Sequence, residues 1–161
     1  MPTRVLGLDP GLGVTGYGVI SVTGRRVTLI EGGAIRTAAN QPIATRLACL
    51  HADVLALLDE HVPDLVVVEE LFAAYSHPRT AIVMAQARGV LLLAAELRGV
   101  PVVGYPATEV KRALTGSGRA SKAQIQRTVA ARLKLSTVPE PPDVADALAL
   151  ALCHAGRLRA T

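Results

Sequence analysis

Apolar residues follow two rhythms along the chain. In the first quarter they form runs rich in Val, Ile and Leu, at residues 4–8, 15–22 and 26–35, broken by Gly or polar residues at 10–13 and 24. That spacing predicts three sequential strands joined by short turns. From Pro42 the rhythm changes. Leu47, Leu50, Val54, Leu57 and Leu58 recur at helical spacing and stop before Pro63. The continuous run Leu65–Val68 then suits a strand buried on both faces.

A long helical pattern covers about 79–98, with Gly99 as its terminating residue. "VPVVGY" reads as a short strand, and Pro106 as the first residue of another helix. Gly116-Ser117-Gly118 breaks the chain before Ser121-x-x-Gln124, a capping box that opens a basic helix. "PEPP" is a stiff connector to a last helix over about 143–158. Three antiparallel strands followed by alternating helices and parallel strands describe an α/β protein, a mixed sheet with helices on its faces. With no internal repeat and no dividing linker, residues 1–161 are expected to form a single domain.

Half the chain is hydrophobic and 19% is charged, which argues against disorder. The apolar stretches break short of a membrane span, and no basic leader precedes Asp9-Pro10, so neither a membrane segment nor a signal peptide is expected. Cys49 and Cys153 sit in apolar helical patterns and read as small core residues of a reducing, cytoplasmic protein. Charge is unevenly spread. Lys111, Arg112, Arg119, Lys122, Arg127, Arg132 and Lys134 form a segment with no acidic residue, while the rest of the chain is net negative. A polyanion such as nucleic acid suits that segment; a solvated helical surface is the plainer reading. One Phe and no Trp argue against a broad base-stacking platform of the single-strand-binding kind.

Four acids do not fit polar helix faces. Asp9 closes the first strand, in "RVLGLDPGLGVTGYGVI", and Glu69 closes "LVVVE". Strand ends are where open α/β sheets place their ligand crevices. Asp143 and Asp146 lie three apart on one face of the last helix. Each has an ordinary reading too: Asp143 as an N-cap, Asp146 as a first-turn acid. Together they border strongly apolar sequence, where an unpaired carboxylate is costly. A divalent cation would relieve their repulsion, and an all-oxygen ligand set favours Mg²⁺ or Mn²⁺ over zinc. Glycines 11, 13, 16 and 18 after Asp9 read as bare backbone that lets a phosphate or sugar approach, or as hairpin turns. Carboxylate-held metal beside a basic helix points to phosphodiester chemistry.

"GLDPGLGVTGYGVI", "VVVEELF", "QARGV" and "DVADALALALCH", in this order and spacing, closely resemble the RuvC Holliday-junction resolvases over nearly the whole chain. The resemblance implies a ribonuclease-H-like fold and a homodimeric, Mg²⁺-dependent endonuclease making paired, symmetric cuts in four-way DNA junctions. Two Mg²⁺ per site are implied, with Mn²⁺ able to substitute, and the branch-migration proteins RuvA and RuvB as partners. Carried across by motif, the catalytic and metal-holding acids fall on Asp9, Glu69, Asp143 and Asp146. Glu70 is set aside because neighbouring strand residues face opposite ways. Phe72 matches an aromatic that contacts bases at the crossover, and could equally be a core residue. Lys111 and Lys122 match DNA-contacting lysines, with Arg119 beside them. Ala85, Gly89, Leu92 and Leu93 resemble the dimer-forming helix, though they could face the core instead.

Two departures stand out. Gly13 occupies a position that is basic in many relatives, which removes one implied phosphate contact. The segment "AAYSHPRT", with Tyr75, His77 and Arg79, is one residue longer than usual and replaces a Lys-Asn pair. Three rivals remain at this stage. One is another ribonuclease-H-like nuclease, for example one cutting RNA–DNA hybrids. An actin-like ATPase would need a second domain. A non-catalytic junction binder would gain nothing from four acids.

Overall fold

A computed structural model describes residues 1–71 and 77–160. In chain order its elements are β1 (Thr3–Asp9), β2 (Val14–Thr23), β3 (Arg26–Arg36), α1 (Ile43–His61), β4 (Leu65–Glu69), α2 (Pro78–Leu97), β5 (Val102–Tyr105), α3 (Ala107–Thr115), α4 (Lys122–Arg132) and α5 (Pro142–Leu158). The strands form one sheet in the order β3-β2-β1-β4-β5. β1, β2 and β3 pair antiparallel, and β4 and β5 add in parallel to β1. This is the mixed, helix-flanked sheet that the sequence leads one to expect.

Both faces of the sheet are covered, which explains the unbroken apolar runs of β1 and β4. Leu6, Leu8, Val19, Val66 and Val68 face a core shared with α1 and α2. Val5, Ile20 and Val67 face the opposite core, shared with α3, α4 and α5.

The glycines of β1 and β2 serve this second core. A Cβ on Gly7 would lie 2.0 Å from the Ala147 carbonyl oxygen, and one on Gly16 would lie 2.0 Å from that of Asp143. One on Gly18 would strike the Leu148 side chain. Hydrogen in place of a side chain lets the backbone of α5 lie directly on the sheet. The expectation that these glycines clear room for a DNA backbone is therefore corrected for Gly16 and Gly18, whose space is filled by α5. Gly13 alone of the four faces open surroundings, with the Arg46 guanidinium 3.9 Å from where its Cβ would be.

Helix ends follow the local chemistry. Gly116, at φ 82°, closes α3 and donates its N–H to the Arg112 carbonyl at 2.8 Å. Ser121 and Gln124 form the expected reciprocal capping box on α4. Pro106 is the N-cap of α3 rather than its first helical residue. α5 starts at Pro142 with Pro141 as N-cap, so Asp143 sits in the first turn and is not a cap. Cys153 is buried as expected, whereas Cys49 is exposed on α1.

α2 departs from expectation as well. By length and composition alone it could cross a bilayer. Its Ala87, Leu91, Ala94 and Ala95 are buried in the core with α1, while Ile82, Leu93 and Leu97 are more than half exposed.

Candidate active site

Asp9 and Glu69 end adjacent parallel strands, one residue beyond the Leu8–Val68 pair. Leu8 and Val68 point into the α1 side, so the acids that follow them point to the α5 side. There α5, seated on the glycines, delivers Asp146 one turn after Asp143. Asp9, Glu69 and Asp146 line one cleft of about 250 Å³, together with Lys111 of α3 and Lys122 of α4. Asp143 does not line that cleft but adds its charge to both Asp9 and Asp146.

Crowding shows in the acidities. Burial, then the charges of Asp146, Glu69 and Asp143, push the Asp9 carboxyl up to about 8, against a partial counterweight from Lys122. Glu69 is raised by burial and by Asp146, and lowered somewhat by Lys111. Asp146 is raised by burial, with Lys122 opposing. Three partly buried carboxyls all pushed upward mark a site that lacks positive charge for its acids. Oxygen-only donors of this kind would fit a hard divalent cation, for which Asp9, Glu69 and Asp146 would be the ligands.

Lys122 is the first residue of α4, where the helix dipole disfavours a cation. Its ammonium instead lies 3.4 Å from Asp146 Oδ2 across the cleft, with the side chain still 63% exposed. Arg119 is exposed on the α3–α4 loop and does not line the cleft. Phe72 and Tyr75 lie outside the described residues. His77 and Arg79 are exposed at the start of α2. Glu70 is exposed, and its side chain lies over Gly104 of β5.

Two positioning groups escape a search for acids and bases. Arg88 of α2 donates from Nε to the Glu69 carbonyl at 3.2 Å, tying α2 to the strand end that carries this acid. An arginine inside an otherwise apolar helix, in "QARGV", was its available signal. Thr15 is fully buried and donates from Oγ1 to the Gly11 carbonyl at 2.6 Å. That bond braces the turn leaving Asp9. Nothing in the sequence separates it from an ordinary strand threonine.

Of the residues expected on the dimer-forming helix, Ala85, Gly89 and Leu93 are exposed. Leu92 is half-buried and packs against the core shared with α1, one turn before buried Ala95 on the same side of the helix. Ile82 and Leu97 extend the exposed stripe at helical spacing.

The sequence profile of the family described as "Crossover junction endodeoxyribonuclease RuvC" matches residues 5–154. The chain belongs to the RuvC family. A RuvC of Rhodopirellula baltica is 49% identical over 149 residues, covering 92% of this chain and 84% of the relative. The solved structure of Thermus thermophilus RuvC in complex with a Holliday junction substrate superposes with a TM-score of 0.92 at 38% identity, covering 98% of this chain and 96% of that one. The yeast mitochondrial Holliday junction resolvase Ydc2, 15% identical with a TM-score of 0.68, shares the fold. The ribonuclease-H-like architecture of the RuvC family is thus the architecture of this chain.

Proposed function

We propose that the protein is a Holliday-junction resolvase, an endodeoxyribonuclease that cuts two strands of a four-way DNA junction in recombination and repair. The observation that carries this is the cleft itself: Asp9, Glu69 and Asp146 crowded together, Asp143 beside them, with Lys111 and Lys122 on the walls. Mg²⁺, two ions per site with Mn²⁺ as a substitute, would be held by these acids. When bound, such ions activate water and stabilise the leaving oxygen of an in-line displacement. The chain's own residues do the rest. Lys122 and Lys111 hold the flanking phosphates, and Lys122 exchanges its contact with Asp146 for one with DNA. Arg88 keeps the Glu69 strand end in place. The Arg46 guanidinium, next to Gly13, supplies the cation that position 13 lacks. Arg119 is a further DNA contact, and Phe72, by its match to the family motif, is the residue that would contact bases at the crossover.

The exposed stripe Ile82, Ala85, Gly89, Leu93 and Leu97 is the surface by which two copies form a homodimer. An isologous dimer places two identical clefts at a fixed separation, which only a junction can span with two like strands. RuvA and RuvB are the partners that such a cytoplasmic enzyme would work with.

The test is cleavage of a synthetic four-way junction beside linear duplex and RNA–DNA hybrid, with Mg²⁺, Mn²⁺ or chelator, each strand end-labelled in turn. Paired, metal-dependent cuts confined to the junction are expected. Cutting of the hybrid alone would assign the cleft to another nuclease class, and binding without cutting under every metal would leave a junction-binding protein.

A further inference from the structure

We propose that Glu31, Glu60 and His61 form a second divalent-metal site, for a transition cation such as Zn²⁺, on the sheet face opposite the nuclease cleft. One ligand atom from each of the three lies within 4.8 Å of the others. Glu31 belongs to the edge strand β3, and Glu60 and His61 end α1.

A β-bulge brings them together. Val19 pairs with Glu31 but Ile20 pairs with Leu29, so Ile30 is an extra residue in β3. Leu29 consequently faces the α5 core with Ile20, while Glu31 faces the α1 side with Val19. Without the bulge, two residues so spaced would share a face. The irregularity turns one carboxylate toward the end of α1.

His61 is held to meet it. Its carbonyl accepts a hydrogen bond from Arg4 Nη1 at 2.8 Å, and its side chain is only 9% exposed. Nε2 lies 2.6 Å from Glu31 Oε2, yet this buried nitrogen makes no hydrogen bond among the described residues. A neutral imidazole nitrogen and a carboxylate oxygen this close share a cation, and a metal ion lying beside both, with Glu60 as third donor, is one that this arrangement of ligand atoms can hold. The Tyr17 hydroxyl donates to Glu31 Oε1 at 3.2 Å, which orients the carboxylate and leaves Oε2 for a metal. Glu60 is exposed, so the site opens to water that can complete the coordination sphere.

The donors set the choice of ion. Imidazole nitrogen with two carboxylates suits Zn²⁺ and its transition-metal neighbours, whereas the all-oxygen cleft suits Mg²⁺. A bound ion would clip the end of α1 to the sheet's free edge, stabilising the fold without touching the chemistry.

The experiment uses the full chain carrying Asp9→Asn and Asp146→Asn, so that the nuclease cleft no longer competes for metal and the nuclease reading is not at stake. Calorimetric titration with Zn²⁺ should give one equivalent, and thermal unfolding should show a higher Tm with Zn²⁺ than with Mg²⁺ or chelator. Adding Glu31→Gln or Glu60→Gln should weaken Zn²⁺ at least tenfold and remove the Tm gain. Glu60 is exposed, so its variant retains the fold. No binding in the Asp9→Asn/Asp146→Asn chain, or an affinity that either glutamine variant leaves unchanged, would overturn the site.

Discussion

The two faces of the sheet are packed by different means. Toward α5, strand glycines let helix backbone rest on strand backbone, and three acids converge within one turn of that contact. Toward α1 and α2, whole side chains such as Leu50, Leu58 and Leu91 fill a thicker layer, and α2 leaves apolar groups exposed beyond it. Backbone contact has no rotamers to adjust, so it fixes the carboxylates relative to one another. Side-chain packing tolerates exchange of shape at constant volume. Rigidity sits where the acids meet, and tolerance sits on the face where α2 leaves apolar side chains exposed.

The harshest way to break this contrast is Gly16→Val. Its side chain would enter the space of the Asp143 backbone, displacing α5. Cutting should be lost, and urea unfolding should show destabilisation of about 3 kcal/mol, the upper end of what overpacking typically costs. On the other face, volume-conserving Leu91→Met should cost less than about 1.5 kcal/mol and keep cutting intact. Equal behaviour of the two variants would erase the distinction.

Asp146→Asn leaves the packing in place and removes one charge. Cutting should fall more than about 100-fold, since even groups behind a metal ligand are worth 10–100-fold. Junction binding, read by gel shift, should hold or tighten as repulsion eases; its loss would count against the metal-holding role.

Leu93→Glu charges the exposed stripe of α2. Light scattering should report monomers, and the two cuts in a junction should become uncoupled. A dimer that survives would move the interface elsewhere.

The crowded acids also make stability depend on pH. Folded Asp9 keeps its proton up to about 8, well above its ordinary value. It therefore binds more protons folded than unfolded, and its contribution, full below the ordinary carboxylate range, is lost as pH rises through about 8. In chelator the Tm should fall between pH 5 and 9 by on the order of 5 °C, and Asp9→Asn should flatten the slope. A Tm that rises with pH would deny the crowding.

The mildest change is Lys122→Ala, for a side chain mostly in solvent. Junction affinity should drop, and the slope of log affinity against log salt should shrink by about 0.9. An unchanged slope would return Lys122 to the ordinary surface.

How much of this was written in the sequence depends on the range over which each feature is encoded. The capping box of α4 and the buried run of β4 are local, and both are where their residues place them. Asp9 and Glu69 were legible because a carboxylate closing an apolar strand is locally anomalous. The purpose of Gly7, Gly16 and Gly18 was not, because the atoms they make room for belong to α5, more than a hundred residues later. Glu31 was equally hidden. Its direction is decided by a bulge, and a bulge is a relation between strands that neither strand shows alone. Leu92 differs from Leu93 only by a rotation about the helix axis, which composition does not record.

The seating of α5 has a consequence for the making of the protein. Chains emerge from the ribosome N-terminus first, and domains fold as their parts become available. Asp9 appears with the first strand, whereas Asp146 follows more than a hundred residues later, on the helix whose docking assembles the cleft. A chain made only as far as β4 thus carries the strand-end acids Asp9 and Glu69 without the cleft that brings Asp146 to them. The cleft therefore comes into being only when α5 has been made and has docked on the strand glycines.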